Sequence, residues 1–259
     1  MNTASRLVGA TIAITAPYYF YNASRSISSV PTSDMRTGAA PSSFLKSKTH
    51  LAVVNPRDHR GLTDSRSITF KLPPSRRSWS DEQILATFVQ GYFGGWVFTP
   101  ERRLLGLVDC LLRRQLVGFS AIQDDPQHGQ IWSCNDLSQS KLPSLHSTLF
   151  GAFRVVDYHI PTTTNTAQDP GLSDETGYVD FAFGSDTSYF SGFHRFSIHR
   201  DRLSDSTAHS SSETVTITNS CVACNPSSNT LVGLDRFRAF HEFYAMLLFR
   251  EGVARVMSV

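Results

Sequence analysis

The chain has 259 residues, 40% hydrophobic and 18% charged, with a formal net charge of +2. That length is enough for one large domain or two small ones. The charge is too small for a phosphate-neutralising surface, so no nucleic-acid partner is expected, and the pairs Arg76-Arg77, Arg102-Arg103 and Arg113-Arg114 read as solvated faces.

Residues 1–64 read as a leader and residues 65–259 as the folded domain. Positions 1–33 contain no acid but carry Arg6, Arg25 and many Ser, Thr and Ala residues, the composition of a mitochondrial transit peptide. The apolar run from Leu7 to Ala16 also fits a signal-peptide core, and it is too short for a stable membrane span. A tail with no address is the third reading, so cytoplasmic and mitochondrial locations both stay open. The leader has no sustained periodicity and is expected to be mostly extended and poorly packed.

Residues 66–72 read as a strand stopped by Pro73-Pro74. Ser80 then caps a helix with Asp81 and Glu82 in its first turn, and Ile84, Leu85, Phe88 and Val89 follow at helical spacing. Gly94-Gly95 breaks it. Thr99-Pro100 starts a second helix to about residue 114. Strands are expected at 116–122, 130–134, 149–160, 178–183, 189–200 and 214–222. A long helix closes the chain over 235–256, with Asp235 as cap and Phe237, Phe240, Tyr244 and Leu247 along one face. The expected fold is α+β: a curved antiparallel sheet of about seven strands wrapped around that helix.

Four cysteines are too few for a disulfide-built domain. Cys221-Val222-Ala223-Cys224 has no second such pair or histidine pair beside it, so no metal is expected. No hydrolase elbow, zinc-protease motif, P-loop or dinucleotide fingerprint is present, and no cofactor is expected.

The element order, the break at Gly94-Gly95 and the terminal aromatic helix resemble the helix-grip fold of the START-like superfamily, which includes pollen-allergen-like binders and polyketide aromatase/cyclases. The segment 192–198 followed by the last helix is also similar to the end of a small domain family of related shape. The resemblance implies an apolar cavity between sheet and helix, and an apolar small molecule as partner. It implies either cyclisation, dehydration or isomerisation in secondary-metabolite biosynthesis, or non-catalytic carriage of a lipid or quinone.

Strand phase then selects residues. In 189–200, Phe190, His194, Phe196 and Ile198 share the more apolar face, which makes His194 the candidate acid/base, or else a core histidine bonded to backbone. Phe181 and Phe183 join the same wall. Asn219 shares a face with Val215, Ile217 and Cys221 and is placed to bind a substrate carbonyl, or to end the strand. Asp157 and His159 form an acid/base pair if their set faces inward. On the last helix His241 and Tyr244 lie beside the aromatic stripe, Tyr244 offering its hydroxyl to a ligand. Tyr92 and Trp96 are candidates for a cavity mouth. Oligomeric state is left open.

Overall fold

The computed structural model describes residues 3–112, 115–123, 125, 127–161, 177–201, 214–231 and 238–258. The fold is α+β, with a curved, open sheet of eight strands in the order β1-β2-β8-β7-β6-β5-β4-β3. The strands are β1 Met35–Gly38, β2 Gly61–Lys71, β3 Gln130–Ile131, β4 Thr148–Leu149, β5 Phe153–His159, β6 Gly177–Gly184, β7 Ser191–Asp201 and β8 Thr214–Cys224. All neighbours pair antiparallel except β3 with β4. The helices are α1 Thr3–Ile27, α2 Ser42–Leu45, α3 Asp81–Gly94, α4 Thr99–Leu112 and α5 Arg238–Met257.

The helix α3 begins where its side chains dictate. Ser80 accepts from the Gln83 backbone N–H, and Gln83 accepts from the Ser80 backbone N–H, a complete capping box. The predicted apolar positions Ile84, Leu85, Phe88 and Val89 are all buried. They place α3 on the inner face of the sheet, where Phe88 meets Phe196 edge-on at 5.0 Å and Phe93 lies 5.2 Å from Phe181.

Helix α5 reaches the core by lying on α3. A methyl group on Gly91 would stand 2.9 Å from the Gly252 Cα, and one on Gly252 would stand 2.6 Å from the Phe88 ring. Only two glycines allow the two backbones this close. Leu248, Phe249, Val253 and Val256 are buried as a result, whereas Phe240 of the expected stripe is 66% exposed and Tyr244 and Leu247 are only partly buried. The helix is apolar on too many sides for one stripe to stand out, and its small residues decide the contact. Phe237 and the expected cap Asp235 lie outside the described residues.

The leader differs most from expectation. Far from extended and unpacked, it forms α1, pairs β1 with β2 and covers the outer face of the sheet. Phe44 stacks on Phe193 at 4.4 Å, and Ala40 and Val54 are buried with Ala182, Val222, Val117 and Phe119. Arg250 on α5 donates to the Val30 carbonyl at 2.7 Å. Residues 116–122 form no strand; a single bridge joins Gly118 to Ser185, and Val117 and Phe119 pack outside the sheet. The expected strand 149–160 is broken at Phe150 and Gly151, whose φ values of 52° and 67° lie in the left-handed region. Among the described residues no helix is long and apolar enough to cross a membrane.

Candidate functional site

Between the ends of β6 and β7, the start of α4 and the first half of α5 lies a cavity of about 350 Å³. Phe98, Phe153, Phe183, Phe190 and Leu248 form its apolar wall, and Tyr92, Glu101, His194, His241 and Tyr244 bring polar groups to it.

Strand register explains how His194 comes there. Its cross-strand partners are Phe181 on β6 and Cys221 on β8, and Cys221 in turn faces Asp64 on β2. Directly opposed residues point to one side, so Asp64, Cys221, His194 and Phe181 form one inward row. The next inward row runs Arg66, Asn219, Phe196 and Val179. Two rows of a hydrophobic face therefore carry four polar side chains on adjacent strands.

These groups are poorly satisfied. Arg66, 3% exposed, donates through Nη2 to Asp64. Its Nε and Nη1, Asp64 Oδ1, His194 Nδ1 and both amide atoms of Asn219 are buried with no hydrogen-bond partner in the structure. Buried polar atoms without partners are rare in folded proteins, and ordered water or a bound group is a usual explanation. Burial pushes the His194 pKa down to about 3, helped by the charges of His241 and Arg66 and opposed by the Asn219 amide, which is near the ring but outside hydrogen-bond geometry. The imidazole is therefore neutral near pH 7 and a weak base.

Other groups stand better placed to handle a proton. Burial raises the Glu101 carboxyl above its usual range, against the nearby Tyr244 hydroxyl. Burial also raises the phenols of Tyr92 and Tyr244 and keeps them protonated, with the Glu101 charge contributing to both. Glu101 was not legible as a site residue, because its place early in α4 reads as a favourable helix-dipole charge. Arg66 did carry a signal: it is in phase with Ile68, which is buried in the same inner core.

Of the residues expected at the site, His194, Phe183, Phe190 and Tyr244 line the cavity. Phe181 and Phe196 are fully buried behind it against Phe93. Asn219 sits in the polar row, 0% exposed. Tyr92 lines the cavity, while Trp96 lies elsewhere, edge-on to Tyr18 at 5.7 Å.

Asp157 and His159 do not join the site. A bulge between Val155 and Asp157 makes Val155 face Phe181 but Asp157 face Asp180. The extra residue reverses the alternation, so Asp157 turns to the outer face, where it accepts from the Tyr178 hydroxyl at 3.0 Å. His159, opposite Tyr178, is on that same face and exposed. The two cysteines of the Cys221–Cys224 segment are an odd number of residues apart on one strand and so point to opposite faces. Burial raises both thiols, Cys224 to about 11. Among the described residues no group of His, Cys, Asp and Glu could hold a metal ion. The chain matches no protein-family model and no curated protein sequence.

Proposed function

We propose that this chain takes up an apolar small molecule in the cavity and moves a proton on it with its own side chains, the chemistry of cyclisation, dehydration or isomerisation. The observation that carries this reading is an apolar cavity of about 350 Å³ whose wall also presents a half-buried carboxyl, two protonated tyrosines and a neutral histidine. A volume of that order suits a small ligand, and groups with shifted pKa values in a cleft suit acid/base work. The resemblance in element order to the helix-grip fold supports it by analogy of fold alone.

Glu101 is the base in this scheme and Tyr244 the donor beside it. His194, too weakly basic to take a proton near neutrality, holds the substrate by a hydrogen bond. The second reading, a non-catalytic carrier of a lipid or quinone, is favoured by that same low basicity.

The test is deuterium exchange at the α-carbon of 2-tetralone in heavy water, followed by proton NMR. Wild-type protein should accelerate exchange above buffer, and Glu101→Gln should abolish the acceleration while still binding the ketone. Binding without any acceleration would remove the catalytic reading and leave the carrier.

A further inference from the structure

We propose that the polar cluster next to His194, one row of the sheet behind the cavity wall, is a carbonyl-recognition site, where Asn219 and Arg66 bind the oxygen of a neutral apolar ketone. The inference rests on the reading of the cavity as a small-molecule site and names the class of molecule. Its basis is the placement of partnerless polar atoms in two adjacent rows of the sheet. Asn219 is 0% exposed with neither amide atom bonded, Arg66 is 3% exposed with two nitrogens unbonded, and His194 is 7% exposed with Nδ1 unbonded.

Chemistry selects the ligand's polar end. Arg66 Nε and Nη1 and Asn219 Nδ2 are donors, so the cluster offers more N–H groups than acceptors, which calls for an oxygen that accepts. Asp64, paired with Arg66 and holding one unpartnered oxygen, already offsets the guanidinium charge. A buried carboxylate would therefore meet Asp64 as a like charge, while a carbonyl would meet only dipoles and half-used donors. The desolvation of these groups is already incurred in the folded chain, so a ligand oxygen recovers hydrogen bonds that the fold leaves unmade.

Tyr92 and His194 connect the cluster with the cavity. Both line the cavity. His194 stands one inward row from Asn219 on the neighbouring strand, and its ring lies 6.0 Å from that of Tyr92. An apolar body resting on Phe153, Phe183 and Leu248 would present its polar end to this shared wall.

The experiment uses the full chain and three probes with one ring system: 2-acetylnaphthalene, 2-ethylnaphthalene and 2-naphthoate, titrated by intrinsic fluorescence. The ketone should bind about tenfold more tightly than the hydrocarbon, as expected for hydrogen bonds to otherwise unpaired groups, and more tightly than the carboxylate. Asn219→Leu should erase the ketone's advantage, leave the hydrocarbon's affinity unchanged and not lower the melting temperature. A double Asp64→Leu, Arg66→Met variant should behave alike, since it removes both members of the pair.

Equal affinity for ketone and hydrocarbon would overturn the inference while leaving the cavity reading intact, and would assign the cluster to ordered water. Tightest binding of the carboxylate would overturn the choice of a neutral ligand. An undiminished ketone preference in Asn219→Leu, or a lowered melting temperature, would overturn Asn219 as a recognition group. Failure of all three probes to bind would overturn the cavity reading and this inference with it.

Discussion

The two faces of the sheet each carry a largely buried carboxylate–guanidinium pair, and they treat it in opposite ways. On the outer face Asp180, 0% exposed, accepts from Arg195 Nε at 2.7 Å, Arg195 Nη2 at 2.6 Å and Thr49 Oγ1 at 2.6 Å. Arg195 also lies 3.9 Å over the Tyr178 ring and near Phe44. Two of these partners, Thr49 and Phe44, belong to the leader, so the network fastens residues 42–54 to the sheet. On the inner face the Asp64–Arg66 pair has one bond between its members and three atoms without any. A pair with its hydrogen bonds filled locks two segments together; a pair with donors left over is suited to receive something else.

Mutation should separate the two most sharply. Asp180→Ala leaves the largely buried Arg195 without its carboxylate, and breaking one partner of such a pair costs about 3–5 kcal/mol. Urea unfolding should show a loss of that size, with increased proteolysis within the leader. Replacing both inner residues, Asp64→Leu with Arg66→Met, should change stability little or raise it by about 1–4 kcal/mol. A large loss in the double variant would make the inner pair structural as well, and the contrast between the faces would collapse.

The helix layer over the inner face gives the next largest effect. Gly252→Ala puts a methyl 2.6 Å from the Phe88 ring. Overpacking of this kind costs about 1–3 kcal/mol, and the shift of α5 should carry Tyr244 and Leu248 with it. Denaturation should report the stability loss, and the affinity for 2-acetylnaphthalene should fall in the same variant. Unchanged affinity would mean that the cavity does not depend on α5.

A pH series reads the inner face without disturbing its shape. His194 has a folded pKa of about 3, below its unfolded value. Below that unfolded value the unfolded chain binds a proton that the folded chain refuses, so stability falls as pH drops from about 6.5 towards 3. The slope attributable to one such group is at most about 1.4 kcal/mol per pH unit. His194→Phe should flatten the curve between pH 6.5 and 4.5. Glu101 and Glu251, whose carboxyls are raised by burial, act in the opposite direction, so the difference between wild type and variant is the quantity to read. Identical curves would show that His194 is solvated.

Legibility in the sequence followed the range of the forces involved. The start of α3 was readable because Ser80, Gln83 and the apolar positions behind them are neighbours in the chain. The inward phase of β7 and β8 was readable because alternation is a property of a single strand, and it correctly brought His194 and Asn219 to one face. The covering of the outer face was not: Phe193, Ala182 and Val222 meet Phe44 and Val54, partners more than a hundred positions away. Nor was the seating of α5, which depends on Gly91 meeting Gly252 across two helices. At the site itself, Glu101 reads as a helix-terminal charge, and Arg66, though in phase with the buried Ile68, shows its neighbour Asn219 only through the register.

The bulge in β5 gives the smallest effect and the finest check on the two-face picture. Without it Asp157 would continue the inward set of Phe153 and Val155; with it Asp157 stands beside Asp180 and takes the Tyr178 hydroxyl. Asp157→Asn keeps an oxygen that accepts from Tyr178 and removes a charge next to a buried carboxylate, so stability should change by less than about 0.5 kcal/mol. Ketone affinity and 2-tetralone exchange should both equal wild type. One property should move: burial, with the Asp157 charge and hydrogen bond behind it, pushes the Tyr178 phenol up to about 12. Without that charge Tyr178 should ionise at lower pH, visible as an earlier phenolate absorbance step in the difference between variant and wild-type titrations. If Asp157→Asn instead slowed exchange on the ketone and left the tyrosine titration unchanged, Asp157 would have to face inward, and the bulge that separates the two faces would be misplaced.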